Sequence, residues 1–351
     1  MNSPVPFPTV GTGRKTPARD RERIEWLEVL QGFSMLLVVI GHISLSNIAF
    51  NPDYPFTAAL ERIIYSFHMP LFIFISGWLF QLTCLSSDRH YRSVMKRKLS
   101  RLGIPFLVFT VVTIGLKLAF PGLMHRQVDT EELLNTFVLF SSNPLGEMWF
   151  LITLLILMAA FPLYRWLDRH SALIWGCCVA VPIALFFPDD IMVFQLSKVM
   201  GMLPYFVAGL VCCRYGVIER YASNPIFFTV CGSLFILCNV LQLYPDIVPV
   251  RTATLVGSFL GIGLSISVCS FITRLNPATF SSFRRYTFQI FLLGIFFQMA
   301  VRYIYGAIGH LSPLLYPLLF IISIIAGLYT PVVIAKTVER YFPRLKLPLG
   351  L

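Results

Sequence analysis

Charge is what this sequence has least of. Only 13% of its 351 residues are charged, against roughly 25% in a soluble globular chain. A chain so poor in charge and with a mean hydropathy of +0.74 does not have water as its main solvent. Cysteine spacing of the redox or zinc kind is missing too: the eight cysteines include the neighbours Cys177/Cys178 and Cys212/Cys213 but form no C-x-x-C pair. They sit in apolar runs, where a free thiol behaves as a small packing group, so neither a disulfide framework nor a metal site is expected. There is no repeat of fixed period and no linker long enough to separate domains. Residues 1–23 carry prolines, glycines and basic residues without an apolar core. They read as a disordered cytoplasmic tail preceding one transmembrane domain over 24–351.

What the chain has is apolar runs, in an overall composition that is 56% hydrophobic. A hydrocarbon core about 30 Å thick takes about 20 apolar residues per helical crossing. Runs and their polar breaks give spans at 27–50, 60–83, 102–120, 147–166, 172–188, 197–213, 225–244, 252–273, 287–306 and 313–335. The expected fold is therefore all-α, a polytopic membrane bundle of about ten transmembrane helices.

The net charge of +11 could point to nucleic acid, but it is distributed as a topology signal. With the first tail inside, all but six of the 28 lysines and arginines fall in cytoplasmic segments. The exceptions are Arg62, Lys117, Arg126, Lys198, Arg251 and Arg302. Cytoplasmic loops retain positive charge, so an even number of crossings with both termini cytoplasmic is expected, and nucleic acid is not an expected partner. Membrane lipids are.

An ionisable group at the bilayer centre costs about 2.5–3.5 kcal/mol on insertion scales, so those that occur there invite explanation. His42 lies some 15 residues into the first span and His68 sits in the second, at similar expected depth toward the outer side. Glu28, Gln31 and His42 share one side of the first helix, because eleven residues make close to three turns. That stripe is read either as a polar packing seam or as one wall of a site. Pro70 should bend the second span, and Ser76 and Gly77 permit close helix approach. Two histidines are too few for a stable metal site, while an imidazole titrating near neutrality suits general-base chemistry. His90, His125, His170 and His310 fall in or near loops.

The run from Arg89 to Arg101 reads as a basic cytoplasmic loop. It is an orientation signal and lipid contact, or a phosphate-binding patch in which Arg97 and Arg101, four residues apart, share a face with Lys98 nearby.

Four segments in order carry a family resemblance. They are Leu27-Glu28-Val29-Leu30-Gln31-Gly32 leading to Gly41-His42, Phe67-His68-Met69-Pro70 through Gly77, Arg101-Leu102-Gly103-Ile104-Pro105-Phe106, and Met148-Trp149-Phe150-Leu151. The chain resembles the acyltransferase 3 group of membrane enzymes, bacterial O-acetyltransferases of surface carbohydrates. The resemblance implies an inner-membrane enzyme with His42 as essential catalytic histidine, and His68, expected to share its cavity, is the second catalytic candidate. It further implies a donor site using Gln31, Arg97, Lys98 and Arg101, with Glu28 and Trp149 in support. Acetyl-coenzyme A is then a donor substrate, not a tightly bound cofactor, and a saccharide is the acceptor. Two departures stand out: Gln31 replaces a basic residue, and Gly294 stands where a histidine ends the segment from Tyr286. The competing class is a transporter or flippase using His42, His68, Glu61 and Glu147 as a pathway.

Overall fold

A computed structural model describes residues 18–43, 55–87, 90–119, 135, 140, 148–244, 246–308 and 316–351. Among the described residues there are helices and turns but no strand, as the apolar runs require. In lipid every backbone polar group must find an internal partner, which a helix supplies within one segment. The order is α1 Ala18–Gly41, α2 Pro55–Tyr65, α3 His68–Phe80, α4 Tyr91–Lys98, α5 Ile104–Ala119, α6 Trp149–Ala159, α7 Phe161–Arg169 and α8 Leu173–Phe186. There follow α9 Leu196–Tyr215, α10 Val217–Tyr221, α11 Pro225–Leu241, α12 Val250–Leu275, α13 Thr287–Ile308 and α14 Tyr316–Tyr341.

Helix overlaps each of the ten expected spans, but the number of crossings is lower by length and composition. Among the described residues, six continuous helical stretches are long and apolar enough to cross a membrane, or seven if α6 and α7, bent by 46° to one another, form one broken span. α8 and α11 are apolar but shorter. The protein is a multi-pass membrane protein, and the figure of about ten crossings is not established. Residues 1–17 of the expected tail lie outside the described residues, and 18–23 are the opening turns of α1.

The basic segment is where the sequence reading of local structure goes wrong. Tyr91–Gly115 is one continuous helical stretch, in which α4 passes through a π-helical turn at Leu99–Gly103 into α5. Lysine, arginine, methionine and leucine are all good helix formers, so a dense run of charge need not be a loop.

Two contacts fix the direction of α1 against α13. At one end Glu28 accepts an ion pair from Arg284 at 2.6 Å, just before α13 begins. Toward the other, Gln298 of α13 donates to the Val39 carbonyl at 2.8 Å. The helices run parallel, so each end of α1 marks an end of the bundle. α3 packs closely on α9. Glycines make that crossing: a Cβ on Gly77 would meet the Phe206 carbonyl, and one on Gly209 would meet the Phe74 carbonyl.

Candidate functional site: two cavities at opposite ends of the bundle

The second span breaks where its proline predicts. Pro70 has no N–H to give to the Ser66 carbonyl four residues earlier, and its ring crowds that carbonyl. The helix stops at Tyr65 and restarts at His68. The Ser66 carbonyl takes the Ser258 hydroxyl of α12 instead, at 2.7 Å. The break turns His68 toward the end of α1, and Gly41 lets α2 approach there: a Cβ on it would lie 3.0 Å from Ile64.

His42 and His68 thereby face one another, with ring centroids 6.1 Å apart and edge to face. Tyr65 completes a triangle at 5.9 Å from His42 and 4.9 Å from His68. Both imidazoles are held by the same device. His42 Nδ1 lies 2.7 Å from the Val38 carbonyl and His68 Nδ1 2.8 Å from the Ile64 carbonyl. A carbonyl oxygen only accepts, so Nδ1 carries the proton in each ring, and in neutral imidazole Nε2 is then the lone-pair nitrogen.

The two rings line a cavity of about 600 Å³. Its wall also includes Trp149, Tyr205 and Ser258, and near it Lys198, Asp189 and Arg251. Lys198 lies over the Trp149 ring, 5.6 Å from the centroid. Arg251 is clamped by the Asp189 carboxylate and donates to the Leu185 and Phe187 carbonyls, at 3.0 and 2.7 Å, closing the end of α8.

A second cavity, of about 770 Å³, opens at the Glu28 end. Lys96, Arg97, Arg101 and Arg285 line it together with Tyr286, Gln289 and Glu339. Glu339 accepts from the Tyr286 hydroxyl at 3.0 Å and lies 3.8 Å from Arg285. Four cationic side chains against the one acidic side chain, Glu339, make a site for anions. The α4 and π-turn geometry brings Arg97 and Arg101 together as their spacing predicts.

Other expected site residues fall elsewhere. Lys98 lines neither cavity, its ammonium lying 5.8 Å from the Phe80 ring centroid. Gln31 is half-buried on α1 and lines neither cavity. Glu28 is engaged by Arg284. Gly294 is a packing position, since a Cβ there would lie 2.9 Å from the Gly327 carbonyl of α14. Of the residues in the pathway reading, Glu61 lines neither cavity, and Glu147 lies outside the described residues, as do His125 and His310. Among the described residues no cluster of three or more metal-ligating side chains occurs.

Sequence reasoning missed Tyr65, Lys198, Arg285 and Glu339. Tyr65 had no signal in a chain that is 15% aromatic. The cations were read only as orientation charges, though Arg284-Arg285 directly precedes Tyr286, where a segment of the resemblance begins.

A family model described as an acyltransferase domain, of the acyltransferase 3 type, matches residues 24–336. The chain belongs to that family. Among curated proteins it is similar to the nodulation protein NolL of Sinorhizobium fredii strain NGR234, 29% identical over 200 residues, or 56% of this chain and 50% of the relative. It is also similar to NolL of Mesorhizobium japonicum, 28% identical over 211 residues, or 58% and 53%. The chain thus matches about half the length of these relatives. No solved structure matches. The match begins before Glu28 on α1 and ends within α14; it takes in the His42 cavity and the arginines of the basic cavity, and stops short of Glu339.

Proposed function

We propose that this membrane acyltransferase moves an acetyl group from acetyl-coenzyme A, held at the basic cavity, to a saccharide hydroxyl at the His42 cavity. The observation that carries the reading is the pair of cavities at opposite ends of one helix. The 14 residues from Glu28 to His42 span about 21 Å of α1. One end offers Arg97, Arg101 and Arg285 to a polyanion, and the other offers imidazole nitrogen. Arginine forks suit phosphate oxygens, so the coenzyme's phosphates belong at the basic end. With charge retained inside, that end is cytoplasmic and so are both termini. The membrane is the bacterial inner membrane, and the acceptor is a cell-surface or lipid-linked saccharide.

His42 is the reacting imidazole. Its Nδ1 proton is held by the Val38 carbonyl, which fixes the ring's tautomer and orientation. As the acceptor oxygen attacks the thioester carbonyl, Nε2 takes the hydroxyl proton. Collapse of the tetrahedral adduct breaks the carbon–sulfur bond, and the imidazolium returns the proton to the departing thiolate. Attack by Nε2 itself, giving an acyl-imidazole that the hydroxyl then cleaves, uses the same nitrogen. Trp149 supplies an apolar face beside the reacting group.

Mass spectrometry of surface glycans from cells with and without the protein tests the reading. An acetyl ester is expected only when the chain is present. His42→Ala and His42→Gln should both abolish it at normal membrane levels, because neither side chain takes a proton at neutral pH. Ester retained by the glutamine variant would remove His42 from the chemistry.

A further inference from the structure

His68 presents a feature that base chemistry at His42 leaves unused. The ring is buried, at 1% exposure, and its Nδ1 is committed to the Ile64 carbonyl at 2.8 Å. Its other nitrogen, Nε2, is shielded from solvent and has no hydrogen-bond partner. Buried polar atoms are bonded in roughly nine cases of ten, and a buried acceptor left unfilled is costly. Among the described residues, no other buried side chain with an unpartnered polar atom lines the His42 cavity. His68 lines the cavity that His42 also lines, and a group that bonds its Nε2 there must be a donor.

We propose that His68 Nε2 accepts a hydrogen bond from a second hydroxyl of the acceptor, on the carbon next to the one acylated, so that the enzyme selects saccharides carrying a vicinal diol. The inference rests on the acyltransfer reading above. Both rings line one cavity and each commits Nδ1 to a backbone carbonyl, so the acceptor nitrogen of His68 is Nε2, beside the reacting His42. A saccharide's adjacent hydroxyls are two donors on neighbouring carbons. With ring centroids 6.1 Å apart, the two imidazoles are close enough for one diol to reach both through hydrogen bonds of about 2.8 Å. One hydroxyl gives up its proton to His42 during reaction, while the other only donates to His68 and is unchanged. His68 is thus a specificity-determining residue, and it holds the reacting oxygen against His42 in a single orientation. A primary ring-exocyclic hydroxyl, whose neighbouring carbon bears the ring oxygen, leaves His68 Nε2 unfilled. A site built around a substrate hydroxyl discriminates against groups lacking it because its own polar atom is then orphaned.

The test is the position of the ester on surface glycan, read by NMR, in cells carrying the wild-type chain, His68→Phe or His68→Gln. In the wild type the ester should occupy one secondary position beside a free hydroxyl. His68→Phe keeps the ring volume and removes the acceptor, so ester yield should fall about tenfold or more, or the ester should spread over several positions. His68→Gln retains a side-chain acceptor and should recover the single position. A wild-type ester on a primary hydroxyl, or full yield at one position in His68→Phe, overturns the assignment while leaving acyltransfer intact. No ester in the wild type overturns the acyltransfer reading and this inference with it. If His68→Phe does not accumulate in the membrane, the wild-type position and the glutamine variant decide.

Discussion

His42 and His68 share a local motif, a ring nitrogen hydrogen-bonded to the backbone carbonyl four residues earlier, yet they differ in burial. That difference was not legible in the sequence. Both stand out there as ionisable groups in apolar runs, and the structure brings their rings to 6.1 Å from one another. Pro70 announces the break at Ser66-Phe67, but the pattern does not show that the break turns His68 inward. The basic residues teach a similar lesson. Arg97 and Arg101 line the anion cavity and Lys98 does not, because one residue along α4 turns a side chain about 100° off the face that the two arginines share. Charge reversal at Arg97 and Arg101 together should therefore raise the KM for acetyl-coenzyme A about tenfold to a hundredfold, the worth of lost charge-assisted hydrogen bonds. Lys98→Glu should change it far less. Equal effects at all three positions, measured in membranes across donor concentrations, would reduce the cavity to a diffuse positive surface.

Among the elements, α3 and α9, each of which lends residues to the wall of the His42 cavity, pack closely on one another. Gly77 and Gly209 face backbone atoms of the opposing helix, leaving no space for even a methyl group. Without a hydrophobic drive between helices in lipid, such small-residue contacts are what lets two helices pack. Gly209→Ala should cost about 1–3 kcal/mol through overpacking and lower the thermal stability of the detergent-solubilised protein. The more distant Gly115 has open space around it, and Gly115→Ala should leave stability unchanged. A melting-temperature series of the two variants checks this contrast. The sequence made Gly77 conspicuous beside Ser76, whereas its counterpart Gly209 lies in an ordinary apolar helix with no flanking signal. The close contact depends on which helix faces which, and periodicity within one helix does not carry that information.

At the scale of the whole molecule, the all-helical membrane architecture was plain from composition, because so little charge leaves no other solvent. The crossing number was not, since a run of apolar residues becomes helix whether or not it is long enough to span. α8 and α11 overlap expected spans yet fall short in length. Orientation can be measured directly. Reporter fusions near residues 190 and 247 should read outside, and those near 90, 218 and 280 should read inside. Asp190 and Ile247 lie on exposed turns beyond α8 and α11, where an insertion is tolerated. Reversal at two or more sites would place the basic cavity on the far side and remove the coenzyme from it.

The about 21 Å of α1 between Glu28 and His42 has an electrical meaning as well. Moving one elementary charge through the full field is worth about 2.3 kcal/mol per 100 mV. If the polyanionic donor stays at the arginines and only a neutral acetyl group reaches the far end, the transmembrane voltage performs no work on the transfer. In proteoliposomes, acetylation should then run at the same rate under a potassium diffusion potential of either sign. A voltage-dependent rate would mean that charge travels with the group, and the bundle would be acting as a conveyor for the donor instead of a relay for its acyl moiety.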